Sequence, residues 1–437
     1  MTRRDFIEKS AALSAGLTLS PLMIRAAARP VGANDKIHVG LIGCNGMGFS
    51  DLQAFLSNPE FDCIALCDID QSVLDRRAAD TEKIQGKKVP NLYKDWRRLI
   101  DNKDIDVVIV GTPDHWHCLQ LVAACEAGKD VYCEKPLGNS IEECNVMVRA
   151  AEKYQRVVQV GQWQRSDPHW QDAMNFVHSG KLGKIRTVRV FSYQGWCPSI
   201  PVKPDEAVPE GVDYDMWLGP APKRPFNRNR FHFTFRWFWD YAGGLMTDWG
   251  VHLLDYALYG MNVTAPESIM ASGGKFGYPD DACETPDLLQ TIYTFNDFTV
   301  MWDHSIGIND GAYGRSHGLG FVGENGTLVI DRGGWEVIPE NVNGNKRMEA
   351  VPLQKSYGGG GLNLHVKNFL ECLKARTPEK CNASIQIGAH IAKFAHLGNI
   401  AYRTGKKLTW DGKTFHDKKA DAYLCKEYRA PWKLPKV

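Results

Sequence analysis

Asp248 and His252 stand four positions apart in Gly243-Gly244-Leu245-Met246-Thr247-Asp248-Trp249-Gly250-Val251-His252-Leu253-Leu254-Asp255. With Thr247 as a helix N-cap, Asp248, His252 and Asp255 share one helical face. A neutral imidazole there can accept the proton of a sugar hydroxyl while a carboxylate holds the sugar or the ring in place. A surface ion pair across one helical turn is the plain alternative. Lys135, in Glu134-Lys135-Pro136, is a second group able to do chemistry. Such a loop lysine is ordinarily solvated; beside a cofactor its ammonium would polarise a substrate hydroxyl.

A cofactor site is written in residues 37 to 48, Ile-His-Val-Gly-Leu-Ile-Gly-Cys-Asn-Gly-Met-Gly. An apolar run enters a turn made by Gly43, Asn45, Gly46, Met47 and Gly48, and a helical pattern follows from about Ser50. That order places backbone N–H groups and a helix N-terminus against an anionic pyrophosphate. The next strand ends at Asp68, 20 residues after Gly48, where a carboxylate can accept hydrogen bonds from an adenosine ribose. The carboxylate disfavours a 2′-phosphate, so NAD is expected over NADP, with NADP open where a nearby Arg or Lys offsets that charge. In the G-x-G-x-x-G alignment Asn45 replaces the second glycine, and Asn tolerates the unusual backbone angles of such a turn. Thr112-Pro113 ends a later strand, where His117 would cap the turn or touch the nicotinamide side. His115 and His117 form an H-x-H without a third ligand, so no metal is expected.

These residues need a scaffold that brings strand ends together. From Ala33 to about Gly161, short apolar strands alternate with helical stretches, which predicts a parallel sheet covered on both faces. Beyond Gly161 the pattern changes to strands near 185–191, 265–275, 288–296, 298–306, 319–323 and 327–338. These predict a mostly antiparallel sheet with helices on one face. Amphipathic helices over 362–375 and 383–403 close the fold. The expected class is α/β, an N-terminal Rossmann domain (34–161) followed by an α+β domain (162–403) with an open sheet. A C-terminal tail (404–437) ends the chain, and the late helices are placed to pack back on the first domain. Trp163, Arg165, Tyr193 and Trp196 are candidates for a sugar-binding wall, each with an ordinary packing alternative.

With 52 basic and 51 acidic residues among 437, the net charge is +1, and nothing in this balance points to a nucleic-acid or anionic-membrane partner. Residues 1–33 combine Arg3-Arg4, Phe6 and Lys9 with a mild apolar stretch and Ala26-Ala27-Ala28. This resembles a twin-arginine export signal and is too short and polar for a membrane span. A periplasmic protein exported folded would carry its dinucleotide with it, tightly bound. The twelve cysteines contain no C-x-x-C pair and are expected mostly as core thiols.

The combination of the Gly43–Gly48 turn with Asp68, Thr112-Pro113 with His117, Glu134-Lys135-Pro136, and Gly243-Gly244 through Asp248 and His252 resembles the glucose–fructose oxidoreductase/inositol dehydrogenase family. The resemblance covers about 36 to 403. It implies Lys135 as the catalytic lysine, Asp248 as the sugar-orienting carboxylate and His252 as the proton acceptor. It also implies an open sheet that walls the substrate site and builds a homo-oligomer, a dimer or a tetramer. The expected activity is transfer of a hydride between a sugar or glycoside carbon and a nicotinamide cofactor. The rival readings are a glycoside hydrolase or lyase working through a transient keto-sugar, and a non-catalytic sugar-binding protein.

Overall fold

The computed structural model describes residues 36–358 and 360–437, so the expected export segment lies outside the described residues. The first domain holds β1 (Ile37–Ile42), α1 (Gly46–Leu56), β2 (Phe61–Cys67), α2 (Gln71–Gln85), β3 (Asn91–Tyr93), α3 (Trp96–Asp101), β4 (Val107–Val110), α4 (Asp114–Glu126), β5 (Asp130–Cys133), α5 (Ile141–Lys153) and β6 (Val158–Val160). The strands form one parallel sheet in the order β3-β2-β1-β4-β5-β6. β4 is buried at every residue, as an unbroken Val-Val-Ile-Val run requires when helices cover both faces. Strand order reverses between β1 and β4, and a cleft opens beyond their carboxyl ends.

The second domain continues with α6 (Pro168–His178), β7 (Ile185–Gln194), α7 (Tyr214–Leu218), α8 (Gly244–Asp248), α9 (Gly250–Met261), β8 (Ser268–Gly274), β9 (Leu288–Thr294), β10 (Thr299–Ile306), β11 (His317–Gly323), β12 (Gly326–Asp331) and β13 (Gly334–Pro339). A small hairpin, β14 (Asn341–Val342) with β15 (Asn345–Lys346), precedes β16 (Val351–Lys355), α10 (Gly361–Ala375), α11 (Ile385–Thr404), β17 (Leu408–Thr409) and α12 (Lys418–Asp421). Nine strands pair in the order β16-β13-β12-β11-β7-β10-β9-β8-β17. Only β7 and β10 run parallel. One face buries Val190, Trp302 and Phe321 against Trp170, Leu254 and Phe394 from α6, α9 and α11. The other face leaves Met270, Met301 and Ile338 exposed.

The late helices lie against the first domain. The α10 ring of Phe369 meets Phe55 and Tyr132, each at 6.0 Å. Val160 donates its N–H to Ala383 just before α11, and a Cβ on Gly388 would sit 2.5 Å from Val160.

Several boundaries differ from the sequence reading for local reasons. α1 starts at Gly46 rather than near Ser50, because Gly46 takes φ +51 and turns the chain directly into the helix. Asn45 is extended (φ −102), so its tolerance of unusual angles is not used. The 327–338 stretch is a hairpin, since the Asp331 carboxylate accepts the N–H groups of Gly333 (2.7 Å) and Gly334 (3.1 Å) and reverses the chain. Residues 404–437 form more than a tail: β17 pairs with β8, and Trp432 packs on Trp116 at 4.9 Å. Ten of the twelve cysteines are buried and none is disulfide-bonded.

Candidate active site

The cleft is a cavity of about 550 Å³ whose wall runs from the glycine turn and Asp68, past Thr112, Pro113, Glu134 and Lys135, to Trp163, Asp248, His252 and Arg332. Two distant stretches of sequence therefore meet at one place.

Its first end fits a dinucleotide. Gly43, Gly48 and Gly111 interlock so closely that a Cβ on Gly48 would lie 2.2 Å from the Gly43 carbonyl, and one on Gly111 2.5 Å from Gly48 Cα. This brings the first turn of α1 down onto the ends of β1 and β4. Asn45 makes no side-chain cap and the first turn carries no acidic residue, so its N–H groups remain available to an anion. A Cβ on Gly46 would meet nothing within 4 Å, leaving room for phosphate above the turn. Asp68 accepts one N–H on each oxygen, from Cys44 at 2.8 Å and Asp70 at 3.0 Å. Each oxygen keeps a lone pair for a ribose hydroxyl. Burial pushes its carboxyl up against these bonds.

At the other end Lys135 Nζ donates to Asp248 Oδ1 at 2.7 Å and to the Asp248 carbonyl at 3.0 Å. Arg236 Nε adds a 3.3 Å bond to the same oxygen. Burial opposes the charge on Asp248, but Lys135 and Arg236 outweigh it and hold the carboxyl well below its ordinary range. Among the described residues nothing bonds Asp248 Oδ2, which leaves it free for a hydroxyl. His252 is 7% exposed. Its Nδ1 is sealed without a hydrogen-bond partner, so Nε2 is the nitrogen able to face the cavity. Burial, then Lys135 and Arg332, push its pKa well below 6.5 and keep the ring neutral.

Local structure explains why these groups hold their places. Gly244 has φ +69, and Asn399 from α11 donates to the Gly243 carbonyl at 2.8 Å, fixing the start of α8. Thr247 is not an N-cap: its hydroxyl accepts the Gly243 N–H at 3.0 Å from inside α8. α8 ends at Asp248 and α9 begins at Gly250, so the expected single helix is two.

The remaining expected residues divide. Thr112, Pro113, Glu134 and Trp163 line the cavity. His117 does not: its nitrogens lie 2.8 Å from the Pro136 and Thr112 carbonyls, so it braces the two strand-end turns. His115 is spent on the Trp217 carbonyl at 2.9 Å, and no metal-binding cluster occurs among the described residues. Arg165 grips Asp255 with two 2.8 Å bonds from Nε, which takes both away from the cavity. Tyr193 is bonded to Asp303 at 2.7 Å on the sheet, and Trp196 lines a neighbouring cavity instead.

Other residues of the site escaped the sequence reading. The Arg332 guanidinium lies over Trp249 at 4.4 Å and Trp163 at 5.1 Å, from a hairpin with no motif of its own. Within electrostatic reach of Glu134 and Lys135 but off the cavity wall, Asp51 is fully buried with neither carboxylate oxygen partnered, and burial followed by Glu134 raises its pKa well above 3.8. Its sequence signal was an acid on the apolar face Gly48, Leu52, Phe55 of α1. An excursion over residues 195–243 supplies Met216, Trp217, His232, Phe233 and Arg236 as a roof. The roof is tied down by Asp213 N–H to Ile69 (3.0 Å), His232 to Asp70 (3.1 Å) and Trp116 to the Trp217 carbonyl (3.0 Å).

Residues 37–162 match the family model described as "Oxidoreductase family, NAD-binding Rossmann fold", and 171–299 match its "C-terminal alpha/beta domain". A glycosyl hydrolase family 109 protein of Shewanella baltica is 32% identical over 173 residues, 35% of this chain and 38% of that protein. The chain thus spans well under half the length of the curated relatives it matches. A levoglucosan dehydrogenase structure in complex with NADH superposes with a TM-score of 0.63 at 21% identity, covering 86% of this chain and 99% of that one. An aldose-aldose oxidoreductase from Caulobacter crescentus gives 0.63 at 20% identity, covering 86% and 100%. These two likenesses establish the shared fold.

Proposed function

The chain belongs to the Gfo/Idh/MocA oxidoreductase family, and on that premise we propose that it moves a hydride between a sugar or glycoside CH–OH carbon and a resident nicotinamide cofactor. The observation that carries the reading is the convergence of Lys135, Asp248 and His252 on the cavity that the glycine turn opens. When bound, the nicotinamide supplies the acceptor for the hydrogen and its electron pair. His252, held neutral, takes the hydroxyl proton. Lys135 donates to the oxygen on which negative charge develops, and Asp248 fixes the ammonium by Oδ1 while offering Oδ2 to a neighbouring hydroxyl. Trp163 presents a ring for the apolar face of the sugar.

The roof over the cleft supports tight binding of NAD, which Asp68 favours over NADP. The Arg3-Arg4 segment supports export by the twin-arginine route to the periplasm with the cofactor aboard. The half-exposed outer face of the large sheet is the surface we assign to homo-oligomer formation. A second reading is favoured by the match to a glycosyl hydrolase family 109 protein: a glycoside is oxidised, cleaved and reduced again with no net change in the cofactor. Incubation of purified protein with sugars and glycosides decides between them. Net nicotinamide reduction supports the dehydrogenase, release of free sugar without it supports the redox-neutral reaction, and neither outcome with any substrate contradicts both.

A further inference from the structure

The 195–243 excursion, with residues 275–287 and Ile306, lines a second cavity, of about 230 Å³, beside the first. Phe233 lines both. On one side of this ring lies the Arg236 guanidinium, 4.5 Å from its centroid and bonded to Asp248. Trp196 also meets this ring, at 5.9 Å, edge to face. Phe233 thus borders both the cavity of the Lys135–Asp248 pair and the second cavity, so the two adjoin. Both rings are large and apolar yet stay about half exposed, Phe233 at 52% and Trp196 at 50%.

The chemistry of the wall selects what fits. Trp196, Phe233, Trp237, Ile200 and Ile306 make it apolar. The charged groups around it are turned inward: Lys275 bonds the Asp281 carbonyl at 2.7 Å, and Asp287 takes the N–H groups of Phe276, Gly277 and Tyr278. Thr285 also lines the cavity, but its hydroxyl is sealed, and Tyr278 adds a phenol to the wall. A second sugar ring would leave most of its hydroxyls unpaired against such a wall, at a cost for each. An aryl or alkyl group would not.

The geometry points to this cavity as an aglycone subsite: the substrate is a glycoside with an apolar aglycone, its sugar ring held at Lys135, Asp248 and His252. The inference rests on the sugar-oxidoreductase reading above and narrows it to a substrate class.

Calorimetric titration of the full chain with its resident cofactor tests it, using methyl and phenyl glycosides of the common hexoses in both anomers, with the corresponding disaccharides. For a sugar that reduces the cofactor, the phenyl glycoside is expected to bind roughly tenfold or more tightly than the methyl glycoside, the gain from withdrawing one ring from water. Ile306→Trp, which fills the cavity, is expected to erase that difference. Trp196→Ala at an exposed position is expected to reduce it without burdening the fold. Equal affinities, a phenyl advantage that survives both variants, or a disaccharide that outranks the phenyl glycoside would overturn the subsite and leave the oxidoreductase reading standing. Failure of every sugar and glycoside to bind or to reduce the cofactor would overturn both.

Discussion

Lys135 Nζ and Asp248 Oδ1 lie 2.7 Å apart although 113 residues separate them in the chain. The bond joins the end of β5 in the first domain to the end of α8 in the second, so the reacting end of the cleft exists only when the domains are docked. Asp248→Asn keeps the shape and removes the charge, leaving Lys135 and Arg236 facing one another. Losing one partner of such a buried pair costs on the order of 3 kcal/mol of stability, and a displaced ammonium lowers kcat by about 100-fold. Denaturant titration and steady-state kinetics of the variant read the two effects separately.

The neutral state of His252 predicts an unusual pH response. Burial, Lys135 and Arg332 depress its folded pKa well below 6.5. A depressed imidazole contributes stability that is full above about 6.5 and falls below it, because the unfolded chain takes up the proton and the native one does not. Activity should show no loss from imidazole protonation as pH falls through about 6.5. Arg332→Leu removes a positive neighbour, so the His252 pKa should rise and bring an acidic limb into the pH–kcat/KM profile. An unchanged profile would count against the role given to Arg332.

Asp51 is a buried carboxyl without partners, and its folded pKa is raised well above 3.8. A raised carboxyl is costless below its unfolded pKa and costs stability as pH climbs above it, since only the unfolded chain ionises freely. Asp51→Asn should therefore stabilise the protein at about pH 8, by about 1–3 kcal/mol, and change little at about pH 3.5. Thermal melts of both proteins across pH give the comparison. A constant offset at every pH would mean that ionisation is not the cause.

The roof over the cleft is held from outside by the last residues of the chain. Arg429 reaches Asp215 at 2.7 Å and the Gly219 carbonyl at 3.0 Å, and Trp432 packs on Trp116. Truncation of both side chains, Arg429→Ala with Trp432→Ala, should accelerate loss of the nucleotide by about tenfold, equivalent to ~1.4 kcal/mol of roof closure. Dilution of the holoprotein with the absorbance of the released cofactor measures this. Retention at the wild-type rate would show that the Arg429 and Trp432 contacts do not hold the roof.

Local pattern exposed the first half of this site well. Gly43 and Gly48 sit on one strand–turn–helix unit and Asp68 follows the next strand, so their geometry follows from neighbours in sequence. Lys135 and His252 were legible as residue types, and their meeting followed only from the family resemblance, because local pattern does not reveal how two domains dock. Arg332 was hidden in a hairpin created by an Asp331 side-chain turn, and Arg236 in an aromatic segment that reads as core. Arg165 and Tyr193 show the reverse error: each suits a sugar wall by type, yet Asp255 and Asp303 claim them. β16, with four of five residues exposed, has no alternating pattern to read.

The most direct test compares wild-type protein with Lys135→Ala, each purified with its nucleotide and mixed with the sugar that the wild type oxidises best, while the nicotinamide absorbance is followed. The arrangement of Lys135 and His252 predicts reduction in the wild type. In the variant it predicts a rate lower by at least about 1,000-fold with the nucleotide still bound at full occupancy. A variant that reduces its cofactor at the wild-type rate, or a wild-type protein that carries no nicotinamide, would contradict it.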